Sequence, residues 1–195
     1  SRHLVSVLRL KAGDTITLFN GQGGEFLCTL EQCSPKKVIA KVHSFEDISR
    51  ESPLNIHLGI GISRGDKMDW VIQKATEAGV TEITPLFTER TEVKLKGERA
   101  EKKIRHWQQV SASACEQCYR NQLPTLHPPI ALNEWLREAQ AEKKLVLHHR
   151  SQQTLSELGN QKTNSVALLI GPEGGLTTQE IELAEAAKFS SLTLG

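Results

Sequence analysis

Over the first fifty or so residues, apolar and polar positions alternate in short runs at 15–19, 25–30 and 38–42. A period of two lines one face of a half-buried strand, so each run predicts a β-strand. Between them lie Asn20-Gly21-Gln22-Gly23-Gly24 and Ser34-Pro35-Lys36-Lys37, whose glycine, asparagine and proline content suits antiparallel hairpins. A small all-β module is therefore expected. Arg50-Glu51-Ser52-Pro53 is polar and closes on a proline, which places the domain boundary at 1–53 and 54–195.

Beyond Pro53 the texture changes to strands alternating with helical periods. Strands are expected over 54–62, 83–87, 144–148 and 166–170. Met68, Val71, Ile72 and Ala75 recur at helical spacing within 67–78, and Gly79 follows as a C-terminal stop. Ile104, Trp107, Val110 and Ala114 form the apolar stripe of a long helix over 100–119, and a shorter helix is expected near 132–139, after a proline-rich segment. Strand followed by helix, repeated, predicts a mostly parallel sheet with helices on its faces.

The chain has 195 residues with 38% apolar and 24% charged positions, the composition of an ordinary water-soluble globular protein. The longest apolar run near its end, 166–170, is far below the roughly twenty residues of a membrane span, and 1–14 lacks the apolar core of a secretory signal. No membrane partner is expected, and the cytoplasm is the expected compartment. The start at Ser1 and the end at Gly195 after an apolar triplet suggest trimming at both ends. Cys28, Cys33, Cys115 and Cys118 could pair as two halves of a zinc site, but Cys115 and Cys118 have helical surroundings and Cys28 sits on an alternating strand. Free thiols are expected, and no metal.

The net charge of +1 gives no sign of a nucleic-acid partner. Its distribution says more: Arg90, Lys94, Lys96, Arg99, Lys102, Lys103 and Arg105 face three acids in the same stretch. Either a solvated helix face with ion pairs or a phosphate-binding stripe fits such a run.

In parallel sheets ligands bind beyond the carboxyl ends of the strands. The sharpest turn there is Ile170-Gly171-Pro172-Glu173-Gly174-Gly175-Leu176-Thr177-Thr178-Gln179-Glu180. Three glycines let a ligand approach the backbone, and Thr177 with Glu180 fits the capping box that opens a helix. Gly59-Ile60-Gly61-Ile62-Ser63-Arg64-Gly65 misses the dinucleotide fingerprint by one position, and neither a Walker loop nor a Gly-x-Ser-x-Gly elbow is present. His148 and His149 end a strand without a carboxylate-rich partner motif, which argues against a metal there.

Residues 168–176, the earlier Ile72-Gln73-Lys74-Ala75-Thr76-Glu77-Ala78-Gly79-Val80, and Ala114-Cys115-Glu116-Gln117-Cys118-Tyr119-Arg120 with Pro124 together resemble the RsmE family. These are bacterial 16S rRNA uridine-N3 methyltransferases of the SPOUT superfamily. The resemblance covers essentially the whole chain, including Arg64-Gly65-Asp66-Lys67, and departs from the family pattern at Ala78, where leucine is usual. It implies an N-terminal PUA-like β-barrel for RNA and a C-terminal SPOUT α/β domain closed by a trefoil knot, with S-adenosylmethionine in the knot and a homodimer as the working form. The family continues past its Leu-Gly with Leu-Arg-x-Glu-Thr-Ala and a last helix, so a chain ending at Gly195 implies an incomplete knot and weakened donor binding.

The same resemblance assigns the donor to Leu147 and His148, to Ile170, Gly171, Pro172, Glu173, Gly174 and Gly175, and to Leu194 and Gly195. With uridine N3 as acceptor, a proton must leave a weak acid and the resulting anion spreads onto O2 and O4, which calls for a carboxylate and an arginine. Glu173, Arg90, Gln117 and Arg120 are the candidates. Lys36, Lys37 and Lys41, with Lys94, Lys96, Arg99, Lys102, Lys103 and Arg105, become candidates for contact with 16S rRNA in the 30S subunit. A ribose 2′-O-methyltransferase of the same superfamily and a non-catalytic RNA-binding or ribosome-assembly module are the alternatives.

Overall fold

In a computed structural model of the chain, residues 3–93, 95, 97–148, 151, 154 and 162–193 are described. They form two compact units, Ser1–Glu51 with Tyr119–Gln122, and Ser52–Cys118 with Leu123–Gly195.

The small unit is a three-stranded antiparallel sheet in the order β1 (Thr15–Leu18), β2 (Glu25–Cys33), β3 (Val38–Glu46), preceded by a short π-helical turn at His3–Val7. Ser34 and Lys37 exchange backbone hydrogen bonds in the turn between β2 and β3, as the Ser-Pro-Lys-Lys connector predicts. The segment Tyr119–Gln122 returns to this unit. Gln22 and Gln122 form an antiparallel bridge, and Asn121 Nδ2 donates to the Ile48 carbonyl at 2.6 Å. The buried Arg120 guanidinium closes on the Glu51 carboxylate, with Nε 3.0 Å from Oε2.

The large unit is a parallel sheet in the order β10-β8-β9-β4-β5-β6, with β7 also on β5. Its elements run β4 (Asn55–Gly61), α1 (Asp66–Glu77), β5 (Glu82–Phe87), α2 (Gly97–Cys118), β6 (Thr125–Leu126), β7 (Ile130–Ala131), α3 (Leu132–Glu138), β8 (Lys143–Leu147), β9 (Ser165–Ile170), α4 (Thr178–Ala186) and β10 (Ser190–Leu192). The strands bury residues toward both faces, as a helix-covered parallel sheet requires. Leu58, Ile60 and Ile83 pack with Met68, Ile72 and Trp107 of α1 and α2. Val146, Ala167 and Leu169 pack with Leu132, Trp135, Leu136 and Ala184 of α3 and α4. Full burial of side chains this large is worth about 1.5–3 kcal/mol each, so these two clusters are the main cohesive term of the unit. Gly59 faces the second cluster, where a Cβ would stand 2.7 Å from the Trp135 ring.

The sequence pattern misses β6, β7, β10 and the π-helical turn, which are two to five residues long. Periodicity cannot register in so few positions. All four cysteines are free thiols, with Cys28 and Cys115 buried. Among the described residues no helix is long and apolar enough to cross a membrane.

Candidate active site

Parallel register sets three strand ends side by side. Leu147 pairs with Ile170 on one side and with Leu192 on the other, and His148 N donates to the Leu192 carbonyl at 3.1 Å. The glycine loop leaves β9 at this point, beside β4, where the order of strands reverses and a crevice opens at the carboxyl ends.

Close backbone approach explains the glycines here. A Cβ on Gly61 would lie 2.4 Å from Pro172 Cδ, and one on Gly171 would lie 2.8 Å from the carbonyl carbon of Gly175 and the nitrogen of Leu176. Gly175 N donates back to Pro172 O at 2.8 Å, with Gly175 at φ +69°. The loop is thus folded tightly on itself and offers backbone rather than side chains to the crevice.

Two contacts tie this loop to the turn after β5. Arg90 Nη1 donates to the Gly174 carbonyl. The buried Glu180 completes the predicted capping box, with Thr177 N donating to Oε2 at 2.8 Å and Glu180 N donating to Thr177 Oγ1 at 3.2 Å. Its other oxygen accepts from Glu89 N at 2.8 Å. Sequence reading finds the cap in Thr177-x-x-Glu180, but the second partner lies 91 positions away and leaves no local signal.

Arg90, Leu147, His148, Glu173, Gly174 and Gly175 line a cavity of about 280 Å³. Glu173 Oε1 accepts from Arg64 N at 3.2 Å, and Lys67 Nζ lies 4.0 Å away. Desolvation pushes the Glu173 carboxyl upward. Hydrogen bonds from its own backbone, from Arg64 N and from Ser63, with the Lys67 charge, outweigh that push and hold it below the usual carboxylate range. A carboxylate of this kind remains charged and is a weak proton acceptor.

A second groove, about 450 Å³, adjoins the loop through Ser63, Arg64 and Gly65. Arg99, Lys102 and Lys103 line it over a floor of Ile62 and Trp107. Asp69 gathers Lys103 Nζ at 3.1 Å, His106 Nε2 at 2.5 Å and the indole N–H of Trp107 at 3.0 Å.

The structure therefore brings Arg90, Glu173, Leu147, His148 and the glycines together. Ile170 ends the strand beneath them, and Pro172 is buried against Gly61. Leu194, Gly195, Lys94 and Lys96 lie outside the described residues. Arg120 and Gln117 do not line this cavity: Arg120 is held by Glu51 in the small unit, and Gln117 is exposed on α2 beside Gln73 and His106. Arg105 is exposed and pairs with Glu101 at 3.6 Å, while Lys36, Lys37 and Lys41 are exposed on the small sheet.

Residues 50–195 match the family model of an RNA methyltransferase domain, and residues 1–42 match an RNA methyltransferase PUA domain. The curated protein Ribosomal RNA small subunit methyltransferase E of Bacillus subtilis is 32% identical over 188 residues, spanning 92% of this chain and 73% of that protein. Its namesake from Buchnera aphidicola subsp. Acyrthosiphon pisum is 36% identical over 199 residues, spanning 100% and 78%. A Legionella pneumophila structure with the cofactor SAM bound has a TM-score of 0.94 at 43% identity, covering 100% of this chain and 80% of its own. Ribosomal RNA small subunit methyltransferase E from Neisseria gonorrhoeae, bound to S-adenosyl methionine, has a TM-score of 0.91 at 38% identity, again over 100% and 80%.

Proposed function

Because the chain belongs to the RsmE family of ribosomal RNA small subunit methyltransferases, we propose that it transfers a methyl group from S-adenosylmethionine to N3 of a uridine in 16S rRNA on the 30S subunit. The observation that carries this reading is the juxtaposition of Leu147, Ile170 and Leu192, with the backbone-lined Gly171–Gly175 turn and Arg90 beside them.

The residues present fit the donor. Side-chain-free backbone at Gly174 and Gly175 offers polar groups, Leu147, Leu176 and Ile181 offer apolar wall, and Glu173 supplies a charge opposite in sign to a sulfonium. When bound, the donor supplies an electrophilic methyl group. Arg90, whose guanidinium carries donors besides the one given to the Gly174 carbonyl, stabilises the negative charge that develops on the uracil carbonyl oxygens as N3 loses its proton. Glu173 stays ionised and orients rather than accepts the proton. Arg99 and Lys102 in the adjoining groove hold rRNA phosphates. A trefoil knot and a homodimer belong to the same reading, as do RNA contacts by Lys36, Lys37 and Lys41 of the PUA-like sheet. Gln117 and Arg120 stand apart from the glycine-loop cavity, so Arg90 and Glu173 are the pair to test first for the chemistry.

The test is nucleoside mass spectrometry on unmethylated 30S subunits incubated with S-adenosylmethionine and the natural protein that carries this sequence. 3-Methyluridine is the expected product. A 2′-O-methylated nucleoside overturns the acceptor atom, and absence of any methylated nucleoside overturns the enzymatic reading.

A further inference from the structure

A separate cluster of ligand-type side chains lies away from the glycine loop, toward the starts of the strands. His57 of β4 and Glu82 of β5 are register partners, and Glu82 is in turn the register partner of Thr125 of β6. Neighbouring parallel strands lie about 4.8 Å apart, and register partners point to the same face. His127 stands two residues past Thr125, its N–H donating to the Ile83 carbonyl at 2.9 Å, so its side chain rejoins that face. Three adjacent strands thereby deliver an imidazole, a carboxylate and a second imidazole in one row.

The donor atoms of this row all lie within 4.8 Å of one another, and His127 Nε2 is 2.7 Å from Glu82 Oε2. Ligands about 2.0–2.1 Å from a tetrahedral zinc ion stand roughly 3.4 Å apart, so side-chain shifts of about an ångström suffice. His127 and Glu82 are 37% and 45% exposed and free to make them. The row borders a cavity of about 410 Å³, with Glu138 of α3 on its rim, which leaves room for water at a fourth position. His57 is oriented by its neighbours: the indole N–H of Trp135 donates to Nε2 at 3.1 Å, and Thr84 Oγ1 lies 2.8 Å from the same nitrogen. An indole nitrogen can only donate, so Nε2 is the acceptor nitrogen of His57, and its lone pair must turn from the Trp135 N–H to the ion when metal binds.

We propose that His57, Glu82 and His127 form a binding site for one divalent transition metal ion of the zinc type, linking β4, β5 and the segment after β6. Two histidines and a carboxylate with an open fourth position suit such an ion better than calcium or magnesium, which favour all-oxygen sites. The spacing rules that argue against a metal look for ligands close in sequence. These three are separated by 25 and 45 positions and are assembled by sheet register.

Cobalt(II), a spectroscopic stand-in for zinc, is titrated into the chelator-treated chain and followed by visible absorption and tryptophan emission, then displaced with zinc. The expected result is one saturable equivalent at micromolar concentration, with quenching of the buried Trp135. Glu82→Gln and His127→Asn, both at half-exposed positions, are each expected to weaken binding by roughly tenfold or more while leaving metal-free thermal unfolding unchanged. No saturable binding at millimolar cobalt, equal affinity in both variants, or a thiolate-to-cobalt charge-transfer band from the cysteines would each overturn the proposal.

Discussion

Arg90 and Gly174, 84 positions apart, are joined by a hydrogen bond from the guanidinium to the glycine carbonyl. A Cβ on Gly174 would press on Arg90 Cδ at 3.2 Å, so the arginine side chain lies flat along the loop it holds. Arg90→Ala removes this staple and the cation together. Its methyl transfer to 30S subunits is expected to fall by about a hundredfold in kcat/KM, the usual scale for losing one charge-stabilising donor. Urea unfolding should barely change, because Arg90 is exposed.

Glu173 allows a sharper discrimination. Its carboxyl is held below the usual range, so it is ionised throughout the neutral region and loses its charge only in acid. The pH profile of turnover between pH 6 and 9 should therefore be the same shape in wild type and in Glu173→Gln, while donor affinity measured calorimetrically falls in the variant. An acidic limb that disappears with Glu173 would instead make it the proton acceptor.

Glu180→Ala leaves both Thr177 N and Glu89 N without their acceptors. Loss of the Glu180 half of the capping box and loss of the acceptor for Glu89 N each cost about 1 kcal/mol, so a destabilisation of about 2 kcal/mol is expected in denaturant titration. Hydrogen exchange should speed up at Glu89 and Thr177 together, since one carboxylate serves both.

Arg120 is buried in the small unit and Glu51 is largely so. Breaking a buried pair strands one charge, so Arg120→Ala and Glu51→Ala should each cost about 3 kcal/mol, and the double variant less than their sum. If Arg120→Ala keeps wild-type stability and loses turnover, while Glu51→Ala is active, Arg120 belongs to the chemistry.

Asp69 sets an acid dependence. Desolvation raises its pKa, but hydrogen bonds and charge from His106 and Lys103 prevail and lower it below its ordinary 3.8. A carboxylate with a depressed folded-state pKa adds stability above its unfolded value, and that stability is lost as pH falls through the folded one. Wild type should thus lose more stability between pH 5 and 3 than Asp69→Asn. Asp69→Leu, which leaves the buried Trp107 N–H unpaired, should cost about 2 kcal/mol at pH 7.

Local rules carried much of this molecule. Alternation marked β1, β2 and β3, helical stripes marked α1 and α2, and Thr177-x-x-Glu180 marked the start of α4, because each signal is written within a few consecutive residues. The glycine loop was legible for the same reason, as three glycines and a proline after an apolar run. Strand order was not, and on it depends everything that converges: β10 lying on β8, Arg90 over Gly174, Glu89 on Glu180, and His57, Glu82 and His127 in one row. The Tyr119–Gln122 return shows the limit most plainly. Its residues follow a helix of the large unit in sequence, yet Arg120 is buried by Glu51, 69 positions earlier. Sequence determines what each segment can form and which chemical groups it carries. Partners distant along the chain are chosen by burial and register, energies that exist only once the segments have packed.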